Sequence, residues 1–349
     1  MAMHNDTGTN DSSEYHCELK EHFKYILLPV SYSLVFVFGL GLNITAMYVI
    51  LFRTKHWKPS TIYMINLNVC DTLYILTLPF LIYYYADKND WPFGELMCKL
   101  IRFLFYTNLY GSILFLSCIS LHRYLGICHP MRSLYWMNGR RARLVSVGIW
   151  VIILILQAPT LYFSRIRLNG EDRVCHDTTI QDLFDDFLVY SSVVMFLLFV
   201  IPFGVVLVCN GLMVKKLLDP GDLREPMSQH SKKKSVKMII IVILTFMLCF
   251  LPFHVSRSIY YPFRYLDKHN CDIIRLSNNI YKVTRTLVSL NSCIDPILYF
   301  MAGQSFRNSI NKKSSINCLS TLLTVRELTH FFFLPKTPLA SINAKSIWH

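Results

Sequence analysis

The sequence predicts an all-α membrane protein, a bundle of seven transmembrane helices with a short amphipathic cytoplasmic helix after the seventh. Of the 349 residues, 53% are hydrophobic and only 16% are charged, and the mean hydropathy is +0.37. A soluble domain of this composition would have too few polar side chains to cover its surface. The composition therefore excludes an ordinary soluble enzyme, a disordered chain and a collagen-like fibre.

Seven apolar stretches provide the predicted spans. They cover residues 26–52, 60–86, 98–122, 144–163, 188–214, 236–262 and 279–302. A helix needs about 20 residues to cross ~30 Å of hydrocarbon, and each stretch is near or above that length. The strands of a membrane barrel would be about half as long and would alternate in polarity. The odd number of spans and the lack of an internal repeat also argue against an inverted-repeat transporter.

Basic residues in the connecting segments predict the orientation of the bundle. The segments on one side contain Arg53, Lys55, Lys58, Arg132, Arg140, Arg141, Arg143, Lys215, Lys216, Lys232, Lys233, Lys234, Arg307, Lys312 and Lys313. Lysine and arginine concentrate on the cytoplasmic side, so the N-terminus is expected outside the cell. Asn5 and Asn10, which begin Asn-x-Ser/Thr triplets, are then candidate glycosylation sites. We expect a multi-pass protein of the plasma membrane whose basic face contacts anionic lipid.

Four regions of the chain follow from these spans. They are an extracellular tail at 1–24, a seven-transmembrane domain at 25–302, the amphipathic helix at 303–318 and a cytoplasmic tail at 319–349. The leader is mainly acidic, and the first apolar stretch is too long for a signal peptide. No cleaved signal is therefore expected.

Four cysteines lie in the predicted extracellular parts, where disulfides form readily. Cys17, Cys98, Cys175 and Cys271 allow three pairings. A bond between Cys98 and Cys175 would tie the second outer loop to the third span. A bond between Cys17 and Cys271 would tie the leader to the loop between the sixth and seventh spans. Cys318, just beyond the last span and close to basic residues, is a candidate for palmitoylation.

Sequence motifs occur in each of the seven spans. They are Gly41-Leu42-Asn43, Leu67-Asn68-Val69-Cys70-Asp71, His122-Arg123-Tyr124, Trp150, Pro202, Cys249-Phe250-Leu251-Pro252 and the run from Asn291 to Tyr299. With these motifs the chain, over about residues 25–318, resembles the rhodopsin-like G-protein-coupled receptors. The resemblance implies that His122, Arg123, Tyr124 and Tyr299 contact a heterotrimeric G protein, with arrestin as a further partner. It implies no required cofactor, and because no phosphate-binding loop, zinc motif or nucleophile elbow occurs in a suitable context, we predict a non-enzyme.

A second set of runs narrows the resemblance. The runs at 27–32, 83–86, 91–93, 102–110, 175–178, 253–257 and 281–285 are similar to the metabotropic purinergic receptors, in particular to the branch that responds to UTP and ATP. This resemblance implies an extracellular nucleotide ligand and a G protein of the Gq class, which acts through phospholipase C and calcium. The alternatives are a receptor for another anionic ligand, such as UDP, ADP, a leukotriene or a dicarboxylate, and an ion-coupled transporter that uses Asp71 and Asp295.

Cations near the outer ends of three spans form the candidate ligand site. The predicted ligand-binding residues are Arg102, Tyr106, Tyr110, His254, Arg257, Tyr261, Lys282 and Arg285. Arg102 precedes Arg123 by 21 residues, which is about 32 Å along a helix and places it near the outer surface. Guanidinium groups suit phosphate oxygens, and tyrosines at helical spacing offer stacking faces and hydroxyls. A ligand with several negative charges, such as a nucleoside triphosphate, is expected. The alternative is that some of these cations pair with outer acids such as Asp177 or Asp186.

Asp71 lies in the middle of the second span, where a charged side chain costs free energy of insertion into the membrane. The family pattern implies that Ser112, Asn291, Ser292 and Asp295 surround it. Oxygen ligands of this kind suit a hard cation, and sodium is the family expectation. The alternative is a hydrated polar network without a fixed ion.

Four positions depart from the family pattern, and one of them is Gly111, which replaces a common cysteine. His122 precedes Arg123 where many relatives have an acid, so we expect only a weak resting lock on that arginine. Asn210 stands where most relatives have a tyrosine, and Thr286 where this branch usually has a proline.

The basic cytoplasmic face explains most of the formal net charge of +13. The outer cations point to a free nucleotide and not to a nucleic-acid polymer.

Overall fold

The computed structural model describes residues 22–54, 57–131, 133, 138–169, 172–176, 183–218, 229–266 and 271–302. Within these ranges six helices are long and apolar enough to cross a membrane: α1 (Lys24–Arg53), α2 (Pro59–Ala86), α3 (Gly94–Cys128), α4 (Gly139–Phe163), α5 (Phe184–Leu218) and α6 (Ser235–Phe263). The last predicted span lies in α7 (Cys271–Ala302), which also contains Lys282, Arg285 and Asp295. The predicted seven-transmembrane bundle is confirmed.

Several helices consist of more than one regular segment. The segments are Lys24–Leu34, Val35–Gly39, Leu40–Tyr48 and Val49–Arg53 in α1, Pro59–Ile75 and Leu78–Ala86 in α2, Phe184–Met195, Phe196–Val200 and Ile201–Leu218 in α5, and Gln229–Thr245, Phe246–Phe250 and Leu251–Leu266 in the sixth helix. The turns Phe196–Val200 and Phe246–Phe250 are π-helical, and each lies just before a proline, Pro202 or Pro252. Proline lacks an amide proton and clashes with the carbonyl four residues earlier, and a wider turn accommodates this.

A β-hairpin between α4 and α5 is the part of the fold that the all-α prediction did not include. Its strands, β1 (Arg165–Asn169) and β2 (Asp172–His176), are antiparallel, with Ile166 opposite Cys175. The disulfide between Cys98 and Cys175 ties β2 to the first turns of α3. We call this side of the bundle the hairpin end, and the side with Arg123 the opposite end.

A close approach of α2 and α3 brings the middles of these helices together. A Cβ atom built on Gly111 would lie 2.7 Å from the sulfur of Cys70, closer than real Cβ contacts. Glycine therefore permits this approach, which places Asp71, the residue after Cys70, beside α3. Buried residues occur along α3 from Cys98 to Ser120, so α3 forms much of the core of the bundle.

Some of the predicted features lie outside the described residues. They are Asn5, Asn10, Cys17, Cys318, the amphipathic helix at 303–318 and the tail at 319–349. Cys271 is disulfide-bonded, but its bond to Cys17 stays a prediction because Cys17 is not described.

Candidate functional site

Arg257 of α6 is buried among tyrosine side chains. Its guanidinium carbon lies 4.9 Å from the centre of the Tyr106 ring and 5.4 Å from that of Tyr261. Its Nη1 donates a long hydrogen bond of 3.4 Å to the hydroxyl of Tyr110. Among the described residues no carboxylate lies within ion-pair distance of Arg257. Its charge is therefore stabilised by aromatic faces and one hydroxyl, which are weaker partners than an anion.

Two further arginines lie next to the same part of α3. Arg285 of α7 has its guanidinium carbon 4.8 Å from the centre of the Phe105 ring. Arg102 of α3 donates a hydrogen bond of 2.8 Å from Nη2 to the backbone carbonyl of Cys175. Both arginines are buried. Because Phe105 and Tyr106 are consecutive, the guanidinium groups of α6 and α7 lie against neighbouring rings, one turn from Arg102.

Tyr261 of α6 joins the arginine cluster to Tyr281 of α7. The hydroxyl of Tyr261 is 3.3 Å from that of Tyr281, and the ring of Tyr281 stacks on Tyr260 with 5.5 Å between centres. Lys282 follows Tyr281 and is half-buried. A run of aromatic rings thus joins α6 to α7 beside the arginines.

His254 occupies a different environment from the arginines. Its ring stacks on Phe199 of α5, with centres 3.9 Å apart and planes 3° from parallel. Its Nδ1 is 2.8 Å from the carbonyl oxygen of Phe250. The ring also lies 5.9 Å from the centre of Tyr110 and 5.4 Å from that of Phe253, two rings that lie next to the arginine cluster. His254 is therefore packed against α5, and it meets the arginine cluster through neighbouring aromatic rings.

The polar network around Asp71 lies deeper in the bundle. Asp71 Oδ1 accepts hydrogen bonds of 2.9 Å from Asn108 Nδ2 and from Ser292 Oγ. Asn291 Nδ2 donates a bond of 2.7 Å to Asp295 Oδ2. All of these side chains are buried.

Several oxygen atoms of this network have no hydrogen-bond partner among the described residues. They are Asp71 Oδ2, Asp295 Oδ1 and Asn291 Oδ1, together with the hydroxyl of Ser112, which lies beside Asp295. Carboxylate, amide and hydroxyl oxygens are the ligands that hard cations prefer. The donor set therefore fits a sodium ion.

Asn43 of α1 holds the α7 side of this network in place. Its Nδ2 donates a hydrogen bond of 2.8 Å to the backbone carbonyl of Ser292, and its Oδ1 accepts one of 2.9 Å from Asn68 Nδ2. These bonds join α1, α2 and α7 in the interior. They fix the backbone of Ser292 where its hydroxyl can reach Asp71.

Comparison with known proteins assigns the family. The model of the family described as 7 transmembrane receptor (rhodopsin family) matches residues 42–299. The chain belongs to this family of receptors.

The receptor is similar to purinoceptor 2 of Homo sapiens, with 53% identity over 304 residues, which are 86% of this chain and 80% of that protein. It is also similar to purinoceptor 4 of Homo sapiens (47% over 299 residues; 86% and 81%) and purinoceptor 1 of Mus musculus (41% over 305 residues; 86% and 81%).

These relatives are receptors and not enzymes, so the prediction of a non-enzyme is confirmed. The resemblance to purinergic receptors is confirmed as well. The receptor is thus a multi-pass protein of the plasma membrane.

The opposite end of this receptor contains the His122-Arg123-Tyr124 motif. The Nε of Arg123 is buried without a hydrogen-bond partner, and no ion pair to Arg123 occurs among the described residues. The hydroxyl of Tyr124 is 3.1 Å from Nε2 of His129. The side chain of Tyr299 lies outside the described residues. No acid therefore restrains Arg123 in the described part of the chain.

Two buried polar residues near these sites were missed by the sequence analysis. Asn108 contacts Asp71 directly, and Gln157 of α4 lines a cavity next to Arg257. Both are polar residues inside an apolar span, which is a signal for a functional or structural role. Asn108 also precedes Ser112 by one helical turn, so this spacing, together with the family pattern that implies Ser112 beside Asp71, could have indicated its position.

Proposed function

We propose that this receptor binds extracellular UTP or ATP and activates a heterotrimeric G protein of the Gq class, which signals through phospholipase C and calcium. The convergence of three buried guanidinium groups, from Arg102, Arg257 and Arg285, on one turn of α3 carries the proposal. Guanidinium groups bind phosphate oxygens through paired hydrogen bonds. The similarity to proteins named purinoceptors supports the same class of ligand.

A triphosphate suits this arrangement better than a ligand with one carboxylate. Its charges are spread along a chain, so different phosphates can contact Arg257 of α6 and Arg285 of α7, which lie against the neighbouring rings of Tyr106 and Phe105. Lys282 supplies a further cation from the same face of α7. Tyr106 and Tyr110 supply ring faces and hydroxyls for the rest of the ligand.

The hairpin end is the extracellular end in this proposal, with the N-terminus outside the cell. A nucleotide that contacts α3, α6 and α7 together shifts the receptor towards its active state only if it binds that state more tightly. The π-helical turn Phe246–Phe250 and Pro252 supply a point at which α6 can bend. Arg123, Tyr124 and Tyr299 at the opposite end then contact the G protein, and arrestin binds the same face.

A sodium ion beside Asp71 belongs to the same proposal. Asp71 Oδ2, Asp295 Oδ1 and Asn291 Oδ1 would hold the ion, with the hydroxyls of Ser112 and Ser292 nearby. Bound there, its single charge would offset part of the cost of two buried carboxylates in a membrane. The binding of sodium would stabilise whichever arrangement of α2, α3 and α7 keeps these oxygens together.

The experiment is a calcium-release dose series in cells that lack nucleotide receptors of their own. UTP, ATP, UDP and ADP are applied as freshly purified solutions, with untransfected cells as the control. We expect responses to UTP and ATP at lower concentrations than to UDP and ADP, and loss of the response when Gq is inhibited. No response to any nucleotide, or a response only to a leukotriene or a dicarboxylate, would reject the proposed ligand.

A further inference from the structure

A small cavity lies on the α4 side of Arg257, between α3, α4, α5 and α6. Its lining residues are Tyr106, Tyr110, Gln157, Thr160, Phe163, Phe187, Tyr190, Val194 and Arg257. The free space is narrow and holds about one particle the size of a water molecule. Aromatic side chains make up much of the wall, so polar groups that face this space have few partners.

Three residues that line this cavity each have a buried donor without a hydrogen-bond partner among the described residues. These donors are Nε2 of Gln157, the hydroxyl of Tyr106 and Nε of Arg257, and the three residues are 1%, 3% and 5% exposed. A buried polar group without a partner costs about 1–3 kcal/mol, and more when it is charged. Groups from three helices therefore require the same kind of partner at one place.

The side-chain oxygens of Gln157, Thr160 and Tyr190 at the cavity wall are already used. Gln157 Oε1 accepts a hydrogen bond of 3.3 Å from the hydroxyl of Thr160, which is also 3.1 Å from the hydroxyl of Tyr190. Tyr190 in turn donates to the backbone carbonyl of Leu156 at 2.8 Å. Of the groups that remain, Gln157 Nε2 and Arg257 Nε can only donate, and Arg257 is a cation, while the hydroxyl of Tyr106 can also donate.

We propose that this cavity binds a small monovalent anion of the halide type, such as chloride. A halide accepts several hydrogen bonds at once and compensates the charge of Arg257, whereas a water molecule would leave that charge without an anion. The cavity is too small for a phosphate group. The anion therefore binds beside the proposed nucleotide site and shares Arg257 with it, and its binding does not require that the natural ligand is a nucleotide.

The test measures the thermal stability of the purified full-length receptor without nucleotide. The receptor is heated in sodium chloride and in sodium gluconate at equal sodium concentration and ionic strength, so that any sodium site is equally filled. Because an ion that binds only the folded state stabilises it, we expect a melting temperature higher by roughly 2–4 °C in chloride. Bromide should act like chloride because it is also a small monovalent halide. Gluconate, in contrast, is too large for the cavity.

Variants of Gln157 connect the effect to this cavity. Gln157→Leu should lose the difference between chloride and gluconate. Gln157→Glu should also lose it, because the new carboxylate replaces the anion beside Arg257, and this variant should be stable in gluconate. Ser117→Ala is the matched control: Ser117 is a buried polar residue that donates to the carbonyl of Ile113 and does not line the cavity, so the difference should persist.

Two results would overturn the proposal. Equal melting temperatures of the unaltered receptor in chloride and gluconate would mean that water alone satisfies the donors. A chloride effect that persists in both Gln157 variants would place the anion elsewhere. If Gln157→Leu does not fold, Tyr106→Phe, which removes only one hydroxyl donor, should weaken the chloride effect, and an unchanged effect would count against the site.

Discussion

Arg257 of α6 lies over the ring of Tyr106 of α3, with 4.9 Å between the guanidinium carbon and the ring centre. The ring holds the arginine in a position from which it can meet a phosphate, because a cation is attracted to the face of an aromatic ring. This contact joins the helix that is expected to move during activation to the helix at the core of the bundle.

Replacing Tyr106 by leucine should weaken activation by UTP. The loss of a buried cation–π contact corresponds to a potency that is lower by roughly 3- to 30-fold. Tyr106→Phe keeps the ring face and should cost less. The measurement is the UTP concentration for half-maximal calcium release. The control is Tyr162→Leu, which removes the ring beneath Arg165 at 5.5 Å on the exposed side of α4; an equal loss in both leucine variants would contradict the assigned role of Tyr106.

Replacing Asp71 by asparagine should abolish stabilisation of the receptor by sodium. The unaltered receptor should melt roughly 2–4 °C higher in sodium chloride than in choline chloride, because the free oxygens around Asp71 suit a small cation. Asp90→Asn is the control, since Asp90 accepts a hydrogen bond of 3.1 Å from the backbone amide of Arg173 and forms a partly exposed ion pair of 3.6 Å with its side chain, and neither contact involves the network around Asp71. A sodium effect that persists in Asp71→Asn would show that the ion binds elsewhere or not at all.

Replacing Gly111 by alanine should destabilise the receptor. The added Cβ would lie 2.7 Å from the sulfur of Cys70, and overpacking of this kind costs about 1–3 kcal/mol. Gly148→Ala is the matched control, because nothing lies within 4 Å of a Cβ built on Gly148. Cys70→Ala combined with Gly111→Ala should recover part of the loss in melting temperature. Equal stability of the two single glycine variants would contradict the close approach of α2 and α3.

Replacing His122 by aspartate should lower signalling without ligand. A carboxylate next to Arg123 would form the ion pair that is absent among the described residues and would favour the resting state. Inositol phosphate accumulation at equal surface expression measures this effect. His129→Gln is the control, since it alters the contact with Tyr124 at 3.1 Å but adds no charge. Unchanged basal signalling in His122→Asp would argue against a weak resting lock.

The sequence predicted the seven helices because a membrane imposes a length and a composition on each span. It also predicted that Asp71 and Ser292 belong to one network, and they are joined by a bond of 2.9 Å. This was possible because a carboxylate inside a span needs polar partners, and the family pattern supplied them.

Other features depend on tertiary packing, which spacing along one helix does not report. His254 and Arg257 were both predicted to bind the ligand, and both approach Tyr110, but His254 packs on Phe199 whereas Arg257 lies over Tyr106. The hairpin at 165–176 was not predicted because its short strands depend on pairing with each other and on the bond to Cys98. The three donors around the cavity come from three helices, so only the assembled bundle shows that they share a partner.

The most direct test of the proposed phosphate site compares three arginine variants at equal surface expression. Arg257→Ala and Arg285→Ala remove buried cations next to α3, whereas Arg275→Ala removes a partly exposed arginine of the same helix as Arg285 that pairs with Asp272 at 3.6 Å. We expect the first two to reduce UTP potency by roughly 10- to 100-fold, the range for hydrogen bonds to charged groups, and Arg275→Ala to leave it nearly unchanged. Equal losses in all three variants, or no loss in Arg257→Ala and Arg285→Ala, would contradict the phosphate site.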